Sequence, residues 1–136
     1  MRRVKSKQPL QRRPTELELS ILQVLWGHGP GTVREVLQRF NEGRGSEAGY
    51  TTVLKMLQIM TEKRLVERDD ARRPQVYRAR LSQEQTQRQL VSDLLERAFG
   101  GSAKQLVMQA LATRKTSEAE LTQIEKILDK LEGGTE

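Results

Sequence analysis

The chain has 136 residues, 35% of them hydrophobic and 31% charged, with one Trp, two Tyr and two Phe. That suffices for one hydrophobic core or two very small ones, built mainly from Leu, Val and Ile, and anything larger requires assembly. The absence of cysteine excludes disulfides, thiolate metal sites and a Cys nucleophile, and suits a reducing cytosol. No apolar run approaches the roughly 20 residues of a membrane span. The basic start Met1-Arg2-Arg3-Val4-Lys5 has no apolar stretch behind it to form a signal peptide, so the expected location is the cytoplasm.

The net charge of +6 is concentrated in residues 1–14, where Arg2, Arg3, Lys5, Lys7, Arg12 and Arg13 stand without an acid. Residues 15–81 hold 11 basic and 9 acidic side chains, and residues 82–136 hold 7 and 9. The first 14 residues therefore read as a separate basic, disordered tail. Such a tail suits a chain that approaches polyphosphate at one end, or one that uses a solvated segment for solubility.

Helix starts are signposted by Ser or Thr followed three residues later by Glu or Gln, because each side chain satisfies a backbone N–H left free in the first turn. Five such pairs occur: Thr15/Glu18, Thr32/Glu35, Ser82/Gln85, Ser102/Gln105 and Ser117/Glu120. The first helix, about 15–26, should bury Leu17, Ile21, Val24 and Leu25 with Leu22 and Trp26 beside them, and end at the Gly27–Gly31 turn. The second, about 32–40, should bury Val33, Val36, Leu37 and Phe40. After a break at Gly43, Gly45 and Gly49, a third run at about 50–63 should bury Val53, Leu57 and Met60.

The apolar period then changes. Residues 65–69 and 75–80 alternate polar and apolar around a basic tip, Asp70 to Pro74, which predicts a β-hairpin. Three helices followed by a hairpin outline a winged helix. Beyond Ser82 the chain is helical again. Leu90, Val91, Leu94, Leu95, Ala98 and Phe99 share one side, Leu106, Val107, Ala110 and Leu111 line the next helix, and Leu121, Ile124, Leu128 and Leu131 recur in the last, widened by Ile127. Fifty-five residues with Phe99 as their one aromatic do not enclose a private core easily, and an identical subunit is the simplest partner for their stripes. The expected architecture is mainly α with a small β-hairpin wing: a winged helix-turn-helix DNA-binding domain at 15–81 and a C-terminal helical dimerisation domain at 82–136. Leu94, Leu106, Val107, Leu121, Ile124 and Leu128 are the candidate dimer contacts.

Opposite its apolar side, the third helix carries Thr51, Lys55, Gln58 and Glu62, with Thr52 and Ile59 on the flank. Hydrogen-bonding groups plus an apolar group that can meet a thymine methyl are what readout in the major groove uses, although any surface helix turns polar residues outward. Tyr50, Thr51 and Thr52 open this helix, where hydroxyls and free N–H groups favour phosphate, unless the threonines serve as caps. Arg72 and Arg73 at the hairpin tip are candidates for contact with an adjacent minor groove or backbone, while Arg78 and Arg80 read as solvated strand residues. The candidate DNA-binding set is Tyr50, Thr51, Thr52, Lys55, Gln58, Arg72 and Arg73.

The segment from Thr15-Glu-Leu-Glu-Leu-Ser-Ile-Leu-Gln-Val-Leu to Trp26, with Tyr50-Thr51-Thr52-Val53, Glu62-Lys63, Leu65-Val66 and Val76-Tyr77-Arg78, closely resembles the penicillinase-repressor family. That family includes repressors of β-lactamase, methicillin-resistance and copper-transport operons. The resemblance runs from about 14 to 131, including Phe99-Gly100-Gly101-Ser102 and the last helix. It implies a dimeric winged-helix repressor of an inverted-repeat operator, with Tyr50, Thr51, Thr52 and Lys55 where the recognition helix begins. It also implies a membrane-bound metalloprotease-type sensor as partner, with release by cleavage in the dimerisation helices. Three features depart from the family. Gln109-Ala110 stands where some relatives have the cleaved Asn-Phe pair, the copper-binding cysteines are missing, and Arg64 replaces the Gly after Lys, so that a left-handed helix end there should be strained or absent.

No cofactor is expected. The one histidine, His28, lies in a glycine-flanked turn without the spacing of a catalytic or metal-ligand set, so an enzyme is not expected. The alternative function is a non-specific architectural nucleic-acid binder driven by the tail. The near-neutral charge of the remaining chain favours a small specific contact surface instead.

Overall fold

The computed structural model of the protein describes residues 13–42 and 47–134. The expectations for the tail up to residue 12, and for Gly43 and Gly45, lie outside these residues. The elements run α1 Glu16–His28, α2 Val33–Asn41, α3 Tyr50–Glu62, β1 Val66–Asp69, β2 Val76–Ala79, α4 Gln83–Ala98, α5 Ala103–Thr113 and α6 Glu118–Gly134. The fold is therefore mainly helical with one small hairpin, as the winged-helix reading requires. The chain forms two compact units, one ending at Arg88 and the other beginning at Gln89, within α4.

Every expected cap is present. Thr15 and Thr32 make complete capping boxes with Glu18 and Glu35. Ser82 and Gln85 exchange the same pair of bonds, at 2.9 and 3.0 Å. At Ser102 and Ser117 the serine oxygen accepts from the backbone of Gln105 and Glu120, both at 3.1 Å. A hydroxyl three residues before a carboxyl or amide thus fixes where five of the six helices begin.

One core holds the first unit together. Ile21, Leu22 and Leu25 from α1, Val33, Val36 and Phe40 from α2, and Val53, Leu57 and Met60 from α3 are buried with Leu65, Val66 and Tyr77. Two expectations for α1 are corrected. The helix continues two residues into the expected turn and ends at Gly29, whose φ of 88° is accessible to glycine without strain. Leu17 is 49% exposed, and Glu18 takes the buried place in its stead. The cap explains this choice: Glu18 Oε1 accepts from the Thr15 backbone N–H at 2.9 Å and from Lys63 Nζ at 2.6 Å, so its charge is paired where burial alone would disfavour it.

The wing is an antiparallel hairpin in which Val66 pairs with Ala79 and Arg68 with Tyr77. Gly31 adds a bridge to it, exchanging backbone hydrogen bonds with Tyr77 at 2.8 and 3.0 Å. A Cβ at Gly31 would approach Glu35 Oε1 at 3.3 Å, which is the carboxylate that caps α2. Trp26 Nε1 donates to the Leu81 carbonyl at 2.9 Å, so the half-buried indole fastens α1 to the segment after the wing.

The left-handed helix end after Lys63, expected to be strained or absent, is present with arginine in the left-handed position. Arg64 has φ 65°, Leu65 donates its N–H to the Met60 carbonyl at 2.8 Å, and Arg64 donates to Thr61 at 3.1 Å. These two bonds form a Schellman ending, with Leu65 and Met60 both buried as its apolar contact. Arg80, expected as a solvated strand residue, donates Nε to the Arg64 carbonyl at 2.7 Å and so helps hold the turn.

The second unit is different in kind. Among its described residues none is buried, and Val91, Leu94, Val107, Met108, Leu111, Leu121, Ile127, Leu128 and Leu131 are each at least 38% exposed. Gly100 and Gly101 end α4 with φ of 56° and 85°. No helix among the described residues is long and apolar enough to cross a membrane.

Candidate nucleic-acid interface

Helix α3 presents two chemically opposed sides. Val53, Leu57 and Met60 have no exposed surface, whereas Tyr50, Thr51, Thr52, Lys55, Gln58, Ile59 and Glu62 are exposed. The core therefore fixes the rotation of the helix about its axis, and with it which side chains face outward. Lys55 is the only cation on α3 and Glu62, at the far end, its only acid.

The start of α3 is chemically bare. Its cap is Gly49, no side chain satisfies the first N–H groups, and no acid occupies the first turn. Thr51 and Thr52 are thus helical residues with outward hydroxyls and do not serve as caps. The approach to this helix is set by a residue that helical periodicity does not flag. Asn41 donates Nδ2 to the Ala48 carbonyl at 3.0 Å and accepts from the Ala48 N–H at 2.9 Å, closing the loop between α2 and α3 as a backbone bridge would. An Asn just after an apolar helical stripe is the signal that marks it.

The hairpin tip separates the two candidate arginines. Arg73 donates to the Asp70 carbonyl at 2.7 Å and is tied into the tip, whereas the Arg72 side chain has no hydrogen bond or ion pair among the described residues. Asp70 also accepts from Arg68 at 2.6 Å and from Gln75 at 3.1 Å, and the Asp69 carboxylate caps the Ala71 N–H at 3.0 Å. The hydrogen bond that Arg68 donates to the Asp70 carboxylate, and a second that the Tyr77 hydroxyl oxygen accepts from it, push the Arg68 pKa further up. Arg78 pairs across the strands with Glu67 at 3.0 Å. Asp70 and Glu67 are thus engaged by Arg68 and Arg78 and Asp69 by the Ala71 N–H, which leaves Arg72 the available cation of the tip among the described residues.

The candidate dimer contacts fall in the second unit. Leu94 and Val107 are each 46% exposed, Leu121 is 40% and Leu128 53%, while Leu106 and Ile124 are half-buried. On α6 the four-residue and three-residue steps from Leu121 to Leu131 keep these side chains on one stripe.

No individual curated protein matches the chain. The profile of the penicillinase repressor family does, over residues 14–130 and hence most of the chain. The six helices and two-stranded hairpin of the described residues agree with that match. The protein belongs to the penicillinase repressor family: it is a winged-helix transcriptional repressor of a regulatory, DNA-binding kind and not of an enzyme family.

Proposed function

We propose that the protein acts in the cytoplasm as a homodimer that binds an inverted-repeat operator. Residues 15–81 are its DNA-binding domain and residues 82–136 its dimerisation domain, with 1–14 a basic tail that adds sequence-independent attraction. In this reading Thr51, Thr52, Lys55 and Gln58 meet base edges and phosphates in the major groove, and Tyr50 lies at its edge. Arg72 reaches out from the wing while Arg73 shapes the tip. Leu94, Leu106, Val107, Leu121, Ile124 and Leu128 pair with their counterparts in the second subunit.

The observation that carries the proposal is the polarity of α3, whose apolar residues are sealed into the core while its polar ones stand outward beside the wing. The dimer is supported by the second unit's exposed apolar stripes, and a two-fold dimer matches an inverted repeat by symmetry. Release by a membrane-bound metalloprotease-type sensor is the regulatory counterpart that the resemblance implies. Gln109-Ala110 on α5 departs from the pair cut in some relatives, so cleavage at that place by the same rule is not part of the proposal.

The test is retention of fragmented genomic DNA by the full chain at near-physiological salt. Recovery of a few promoter fragments sharing an inverted repeat is the expected result, and replacing Thr51 and Lys55 together by Ala should weaken binding to them about 10- to 100-fold, the worth of a lost base contact. Uniform recovery of all fragments would replace the operator reading with the architectural one.

A further inference from the structure

We propose that Arg34 of α2 is a DNA-backbone contact, held ready by stacking on Tyr50 so that its guanidinium meets a phosphate beside the start of α3. This rests on the reading of α3 as the recognition helix. The Arg34 guanidinium carbon lies 5.5 Å from the centre of the Tyr50 ring. Arg34 is the second residue of α2 and Tyr50 the first of α3, so the contact joins the two helices of the helix-turn-helix at its outer edge.

The chemistry of the pair favours an anion. The place of Arg34 over the ring engages no N–H of its guanidinium in a hydrogen bond, so the fork that grips a phosphate through two parallel hydrogen bonds is unused. No ion pair or hydrogen bond engages Arg34 among the described residues. The adjacent acid, Glu35, is turned back onto the Thr32 N–H at 2.9 Å in the cap of α2.

A purely structural role fits poorly. Arg34 is exposed and the Tyr50 ring is 44% exposed, and a cation over an aromatic ring in water contributes little to folding. What the stack does supply is order. An arginine side chain has much rotamer freedom to lose on binding, and the ring removes part of that loss beforehand. Because Arg34 stands on the helix preceding α3, it meets the strand backbone and not base edges, in the place where the first helix of such a motif crosses the backbone.

The experiment titrates the full chain against a random-sequence duplex pool and against a duplex the chain selects from that pool, across a salt series. Arg34→Gln should weaken both several-fold and equally, reduce the salt slope by about 1 and leave the melting temperature unchanged. Tyr50→Ala should weaken both while keeping the slope, because the charge still arrives but is no longer ordered. Arg34→Lys should keep the slope and recover part of the affinity. Unchanged affinity and slope for Arg34→Gln would overturn the proposal, as would a loss confined to the selected duplex, which would make Arg34 a base reader. The Thr51→Ala/Lys55→Ala variant runs alongside. If it loses discrimination between the two duplexes while Arg34→Gln changes nothing, the Arg34 contact alone fails. If it keeps full discrimination, the reading of α3 fails, and the Arg34 contact with it.

Discussion

The segment ending at Arg88 and the segment beginning at Gln89 are built from similar material and reach opposite ends. Both contain capped amphipathic helices, yet among the described residues all twelve buried apolar ones lie in the first, and nine of the twelve large exposed ones lie in the second. The difference is one of closure. In the first unit three helices, the hairpin and the Gly31 bridge supply apolar faces from several directions, so each covers the others. In the second, three helices carry apolar stripes and none of the described residues is buried. Amphipathicity alone thus says that a helix wants a partner, and the number of faces available within the chain says whether that partner must come from outside.

The comparison breaks most severely if the second unit's stripe is made polar. Leu121→Glu/Leu128→Glu should leave a monomer by sedimentation velocity and reduce operator affinity by about 10²- to 10⁴-fold, since the linkage of two half-site contacts is lost. Melting of the first unit, followed through the fluorescence of Trp26, the one tryptophan, should not change. A dimer that survives both charges would move the subunit contact elsewhere.

The complementary change is Leu57→Ala. Leu57 is fully buried, so its truncation should cost about 2–5 kcal/mol in denaturant unfolding followed by Trp26, while the protein remains dimeric. If both units lost stability together, they would be one cooperative body and the contrast drawn above would not hold. A smaller effect probes the buried ion pair. Glu18→Ala strands Lys63, whose side chain is 17% exposed, and frees the Thr15 N–H, at a cost of about 1–3 kcal/mol. Adding Lys63→Met should recover part of that loss, because it removes the stranded charge while the Thr15 N–H stays without its acceptor.

What was legible in the sequence follows the same division between local and distant causes. Caps, helix starts, the buried side of α3 and the hairpin are written in spacings of two to four residues, and each appears as expected. Leu17 was misplaced because periodicity ranks Leu above Glu, whereas burial of Glu18 depends on Lys63, 45 residues away. The clamp of Asn41 on Ala48, the stack of Arg34 on Tyr50 and the division of labour between Arg72 and Arg73 likewise depend on what folding brings near. The candidate interface was legible as a helix face, but the contact that joins Arg34 of α2 to the start of that helix was not.

The smallest expected effect concerns Arg64, where a family preference and this chain disagree. The Schellman ending after α3 forms although its left-handed position is an arginine with φ 65°. An L side chain there costs about 1–2 kcal/mol relative to a right-handed residue, and glycine removes that strain but adds about 0.5–1 kcal/mol of unfolded-chain entropy. The Arg80 bond to residue 64 is made to the carbonyl, so it survives a change of side chain. Arg64→Gly should therefore stabilise the first unit by about 0.5–1 kcal/mol, read as a rise in the midpoint of the Trp26 unfolding curve with its slope unchanged. A fall would mean that the arginine side chain itself helps to hold the turn, by more than the strain that glycine relieves.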